Sequence, residues 1–298
     1  MFPFWGKGMR LELLNNQVEL QNSGRALFPA VTILFVHGSM HSAHCWEYYM
    51  KYFSEHDIAC NAISLRGHGD SEGIGNLSLW TMNNYLEDIN LALEKVESPV
   101  VLVGHSMGGM LVQKYIEKYN NTKIIGAVLM SCTAFSMKKT VARTIFLLAP
   151  GFLRALFRRI IFDRKQVVRM VSDVATMKKV FFTDTCESST IGKHHQHIQN
   201  ESLRAIMGLC FFKPVKLVGN NIPLLFLVGG KDKVVKREEV TASQKHYRDG
   251  SGSSRCIDMK VIDECAHDIM LNREWRFGAD HIVTWLNTRV LNRLKNEE

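Results

Sequence analysis

Along this chain, short uninterrupted apolar runs alternate with longer segments whose apolar residues recur every three to four positions. Val31–Val36 predicts a buried strand ending at His37-Gly38, and Cys60–Leu65 predicts a second, ending in Arg66-Gly67-His68-Gly69. Leu79–Val96 carries apolar residues at helical spacing. Pro99–Val103 is β-branched and predicts a strand running into Gly104-His105-Ser106, followed by a helix over Met110–Tyr119. Ile124–Met130 predicts the next strand. Further on, Ile222–Val228 and Asp258–Ile262 predict strands on either side of a helix at Glu238–His246 and a Gly/Ser-rich hairpin or loop at Arg248–Arg255. A long amphipathic helix over Trp275–Leu294 closes the pattern.

Such alternation implies an α/β fold, a mostly parallel central sheet with helices on both faces. It breaks between about Ala134 and Lys216, where the chain is helix-like and by turns basic and apolar. An insertion there implies a helical cap over the C-terminal edge of the strands, where ligands bind in open α/β sheets. The expected organisation is a core of residues 1–133 and 217–298 with a cap of residues 134–216. No internal repeat or low-complexity tract interrupts it.

Composition narrows the class. A chain of 298 residues with 46% hydrophobic residues, 22% charged residues and six prolines fits one α/β domain with an insertion and argues against long disorder. The seven cysteines, irregularly spaced and without a Cys-x-x-Cys pair, predict buried thiols in a reducing compartment rather than disulfides or a metal site. Met1–Lys7 makes a poor signal peptide, and no uncharged apolar run approaches the roughly 20 residues of a membrane span. The expectation is a soluble, cytoplasmic protein. The net charge of +8 is concentrated: Lys138–Lys179 holds eleven Lys and Arg against Asp163 and Asp173. A basic block of this kind suits an anionic membrane surface or an acidic substrate. Nucleic acid is a poor partner, because no aromatic residues interleave as a stacking platform.

The chemistry lies at Gly104-His105-Ser106-Met107-Gly108. A serine hydroxyl is a weak nucleophile unless a base, a carboxylate that orients the base, and oxyanion donors surround it. Gly-x-Ser-x-Gly between a strand and a helix is a nucleophile elbow, a turn so tight that both glycines must be small. The base should sit on a loop after the last strand, where His267 lies in Cys265-Ala266-His267-Asp268. His37, His68, His105 and His281 fit that place less well, and His194, His195 and His197 read as a solvated polar turn in the cap. The acid should follow the strand before the histidine's, at Asp232 in Gly229-Gly230-Lys231-Asp232. Asp263 and Asp268 are the rivals, and the side chain of Asp268 should diverge from the adjacent His267. For the oxyanion, the backbone N–H of Met107 is one expected donor. Ser39, with Met40 as its close rival, supplies the other.

Together His37-Gly38, Arg66–Ser71, Gly104–Gly109, Gly230-Lys231-Asp232 and Ala266-His267-Asp268 resemble the α/β-hydrolase family, most closely its monoacylglycerol lipase, carboxylesterase and lysophospholipase-like branch. The resemblance spans roughly Leu27–Leu294 and is weakest in the cap. It implies the α/β-hydrolase fold with a helical cap inserted after the sixth strand, a catalytic Ser106, Asp232 and His267, and no cofactor or metal. Serine rather than aspartate at position 106 sets aside the dehalogenase and epoxide hydrolase branches. The activity it implies is hydrolysis of carboxylic esters of apolar acyl groups. A thioesterase or a C–C bond hydrolase would use the same three residues, and a non-catalytic ligand-binding protein on this fold is the alternative of another class. Ile145–Leu153 is unusually apolar, and Arg154–Phe162 alternates apolar and basic positions. This reads either as a lid that packs on an acyl chain and touches an anionic interface, or as a helix packed on the core with its arginines solvated.

Overall fold

The computed structural model describes residues 4–6, 9–16, 31–161, 171, 173–215, 221–250 and 256–297, with side chains left out at 4–6, 151–161 and 295–297. Its centre is an eight-stranded sheet in the order β1-β2-β4-β3-β5-β6-β7-β8. The strands are β1 (Phe4–Gly6), β2 (Met9–Asn15), β3 (Thr32–Val36), β4 (Ala59–Ser64), β5 (Val100–His105), β6 (Ile124–Met130), β7 (Leu224–Gly229) and β8 (Ile257–Ile262). From β4 through β8 every pairing is parallel; β1 and β2 add an antiparallel edge.

β3, β5 and β7 are buried along their whole length, as expected for apolar runs covered on both faces. The helices are α1 (Glu47–Glu55), α2 (Met82–Leu93), α3 (Met107–Tyr119), α4 (Lys138–Ile161), α5 (Val174–Phe181), α6 (Ser188–His195), α7 (Leu203–Cys210), α8 (Arg237–Gly250) and α9 (Trp275–Trp285), the last continuing through a π-turn to Glu297. α1 and α9 form one layer, joined where Tyr48 stacks on Trp275 at 5.5 Å. α2, α3 and α8 form another: Tyr115 of α3 donates to Asn90 of α2 at 2.9 Å, and Tyr247 of α8 to Gln113 of α3 at 2.6 Å. Four helices, α4–α7, lie between β6 and β7.

The structure differs from the sequence reading in several places: helix α1 was not expected, and a π-helical turn at Leu286–Leu291 interrupts the closing helix. β1 and β2 were not expected: Met9–Asn15 alternates too weakly, because Glu12 is buried in mid-strand. The helix anticipated over Leu79–Val96 is shorter, because Thr81 caps it and forms a reciprocal capping box with Asn84. The Arg154–Phe162 pattern and most of the Arg248–Arg255 loop lie outside the described side chains.

Candidate active site

β5 ends at His105, and the chain reverses at once into α3. Ser106 sits in that reversal at φ 50°, ψ −115°, a conformation costing a non-glycine residue about 1–3 kcal/mol. The neighbours enforce it. A methyl on Gly104 would approach the Gly108 carbonyl oxygen to 2.5 Å, and one on Gly108 would collide with the carbonyls of Val36 and His37. The Ser106 N–H is tied to the Met130 carbonyl at 2.8 Å.

Ser106 Oγ lies 3.1 Å from Nε2 of His267, and His267 Nδ1 lies 2.9 Å from Oδ2 of Asp232. Asp232 Oδ1 accepts the backbone N–H groups of Val234 and Val235 at 2.7 and 2.9 Å. The carboxylate is thereby fixed on the turn after β7 and aimed at the ring. His267 and Asp232 are buried, whereas Ser106 is partly exposed. Burial opposes charge on His267, but Asp232 outweighs it, with help from Asp268, and holds the imidazole above the usual histidine value. The three residues expected together are therefore in contact, in the order a proton would move.

Both expected oxyanion residues lie beside the serine. Met107 is the first residue of α3, so its N–H has no intrahelical partner. Ser39 Oγ donates to Met107 Sδ at 3.3 Å, and Ser39 lines the same cleft as Ser106. Met40 is differently placed: its N–H is held by Glu201 Oε2 at 3.2 Å.

The rivals are elsewhere. Asp263 is exposed. Asp268 does diverge from His267: its carboxylate lies 3.2 Å from His41 Nε2 and 3.7 Å from His105 Nε2. Burial would raise it, but His41 and then His105 and His267 hold Asp268 below the usual carboxylate range. His105 packs behind the elbow and shares a hydrogen bond with the His267 carbonyl at 3.1 Å; burial, then repulsion from His267, lowers it to about 3. His37 accepts the Leu65 N–H at 3.0 Å.

Of the histidines expected in a solvated turn, His197 is exposed, whereas His194 and His195 are partly buried. His194 packs edge-on against Tyr48 and beside Phe182, His195 bonds the Val171 carbonyl, and His197 stacks on His44 at 4.8 Å. Among the described residues it is His41, His105 and Asp268, not this trio, that bring three possible ligand atoms within 4.8 Å. In that group His105 Nε2 is committed to the His267 carbonyl.

Ser106 and His267 open into a cleft. Met137, Val141, Ile145, Phe181, Ile206 and Leu209 give it apolar walls, and Ser39, His41 and Asp268 a polar end.

The family described as serine aminopeptidase, S33, matches residues 29–274. The chain is similar to a monoacylglycerol lipase of Mycolicibacterium smegmatis, 23% identical over 87% of this chain and 88% of that one. It also resembles phospholipase YtpA of Bacillus subtilis, 24% identical over 75% and 87%. Among solved structures, an esterase from Exiguobacterium antarcticum superposes with a TM-score of 0.70 at 16% identity, covering 97% of this chain and 99% of that one. A monoacylglycerol lipase of Paleococcus ferrophilus does so with a TM-score of 0.64 at 18%, covering 93% and 98%.

Proposed function

The chain belongs to the serine aminopeptidase S33 family of α/β-hydrolases, and from that premise we propose that it hydrolyses carboxylic esters of apolar acyl groups through an acyl-enzyme on Ser106. The observation that carries this reading is the unbroken contact from Ser106 through His267 to Asp232 at the mouth of an apolar cleft.

In this reading Ser106 Oγ attacks the ester carbonyl carbon while His267 Nε2 takes its proton. Asp232 stabilises the imidazolium that forms, and the N–H groups of Ser39 and Met107 take the charge on the former carbonyl oxygen. Collapse breaks the bond to the alkoxy oxygen, which leaves as an alcohol with the proton from His267. Water then attacks the acyl-serine, His267 accepts a water proton and returns it to Ser106, and the carboxylic acid departs.

The acyl group would lie between Met137, Val141, Ile206 and Leu209. Residues 134–216 are read as the cap. Its helix α7 turns Ile206 and Leu209 into the cleft and leaves Leu203 and Met207 exposed, with Phe146 and Phe211 exposed nearby. Lys138 lies over the Phe211 ring at 5.0 Å. An apolar surface edged by lysine suits a peripheral contact with an anionic lipid surface. Among the described residues no helix is long and apolar enough to cross a membrane. No disulfide joins the seven cysteines, in keeping with action in the cytoplasm.

The test is a panel of p-nitrophenyl esters from acetyl to palmitoyl, with acyl thioesters alongside, measured with and without phosphatidylglycerol vesicles. Rates that rise from acetyl to medium or long acyl esters support the reading. Turnover of acetyl esters alone overturns the apolar-acyl assignment, and preference for the thioesters favours the thioesterase.

A further inference from the structure

Residues Gly38–His41 form a turn in which the His41 N–H reaches the Gly38 carbonyl at 3.3 Å. Its third residue, Met40, has φ 67°, while Ser39 is not among the residues at positive φ. A positive φ at the third position alone is the type II pattern, which glycine favours. A methionine there costs roughly 1–2 kcal/mol. Types I and II differ chiefly by a flip of the central peptide, here the one joining Ser39 to Met40.

Both polar atoms of Met40 are held from one place. Its N–H donates to Glu201 Oε2 at 3.2 Å, and its carbonyl accepts the Gln199 N–H at 2.9 Å. The Glu201 side chain is fully buried. Its Oε1 accepts the Tyr85 hydroxyl at 2.8 Å and the Ser202 N–H at 2.7 Å, and its Oε2 lies 3.3 Å from His68 Nε2. Gln199 Oε1 accepts the Gly69 N–H at 2.8 Å. Residues 199–201, from the segment between β6 and β7, thus pin the Gly38–His41 turn to the Arg66–Ser71 loop.

A carboxylate that accepts a backbone N–H forms a charge-assisted bond, about twice as strong as a neutral one. That is enough to hold a turn against a penalty of this size. We propose that Glu201 is a positioning residue for ester cleavage. By capturing the Met40 N–H it anchors the strained turn that carries Ser39, and so holds the Ser39 N–H in place beside that of Met107 for the oxyanion. This rests on the reading of Ser106 as nucleophile with Ser39 and Met107 as donors. Glu201 touches no reacting atom and acts only through the turn.

The test measures kcat and KM on one p-nitrophenyl ester, and the affinity of a trifluoromethyl ketone that forms a tetrahedral oxyanion on a serine. Glu201→Ala is expected to lower kcat about 30- to 100-fold, in line with a displaced oxyanion donor, with KM within about twofold. The ketone should weaken by the same factor as kcat. Glu201→Gln keeps an acceptor for Met40 without the charge and is expected to lose only about 3- to 10-fold. Met40→Gly makes positive φ free of strain, so adding it to either variant should recover part of the loss. A folded Glu201→Ala with kcat within twofold of wild type, or with the loss in KM alone, overturns the proposal. So does a loss that Met40→Gly leaves untouched. Should Glu201→Ala fail to fold, full kcat in Glu201→Gln overturns it instead. A wild-type protein that turns over no ester and forms no ketone adduct points elsewhere, to failure of the hydrolase reading beneath.

Discussion

His267 Nδ1 lies 2.9 Å from Asp232 Oδ2, while the second oxygen of the same carboxylate is held by the backbone of Val234 and Val235. The acid is thus oriented by its own turn before it orients the base. Asparagine at 232 can keep both backbone bonds through its Oδ1, but its amide then presents an N–H to the ring and favours the wrong tautomer. Asp232→Asn is therefore expected to lower kcat by about 10³- to 10⁴-fold with a modest change in melting temperature. Near-normal turnover in that variant would point to another acid.

The pH profile follows from the charges around His267. Protonated His267 has no lone pair at Nε2 to receive the Ser106 proton. Although burial disfavours the imidazolium, Asp232 and then Asp268 hold the ring above its ordinary value of 6.5. Activity is accordingly lost as pH falls through a midpoint above 6.5, and removing either carboxylate lowers that midpoint. Asp268→Asn should shift the acid limb of kcat/KM to lower pH, while its rate at high pH falls far less than in Asp232→Asn. A limb that Asp268→Asn leaves in place contradicts this assignment of charge.

The elbow makes a steric prediction. Because a methyl on Gly108 meets the carbonyls of Val36 and His37, Gly108→Ala must displace either β3 or the start of α3. It should abolish ester turnover and lower the melting temperature. Gly192→Ala, where nothing lies within 4 Å of the added carbon, is the matched control; it should leave turnover unchanged and hold or slightly raise the melting temperature, because alanine favours a helix interior over glycine. Thermal melts and ester kinetics on both variants decide it.

The cleft predicts selectivity by chain length. Ile206 lines it from α7, and Ile206→Trp adds bulk where a long acyl chain would lie. Decanoyl and longer esters should lose about tenfold or more in kcat/KM, against less than about threefold for butyryl, given the 1–3 kcal/mol that each misfit group costs in an apolar pocket. Equal losses across the series would put the acyl chain elsewhere.

The reacting residues were legible because each is fixed by local pattern and chain order. An apolar strand, a Gly-x-Ser-x-Gly turn and a helix place Ser106; turns after the last two strands place Asp232 and His267. What surrounds them is set by distant contacts. Glu201 reaches Met40 across 161 residues, and nothing near position 201 advertises a buried carboxylate. The choice between Ser39 and Met40 as oxyanion donor was open for the same reason. His41 and Asp268 likewise show their pairing only after β3 and β8 converge on one edge of the sheet. At the N-terminal edge, Glu12 hid the alternation of β2, because only the fold brings Ser64, from the neighbouring β4, to its Oε2 at 2.5 Å.

The central claim is that Ser106 is the nucleophile. Treating the folded protein with a fluorophosphonate and measuring intact mass and the labelled peptide tests it most directly. One adduct on the peptide carrying Ser106, absent in Ser106→Ala, is the predicted result. A folded wild-type protein that takes up no label, or a Ser106→Ala variant labelled to the same extent, would contradict it.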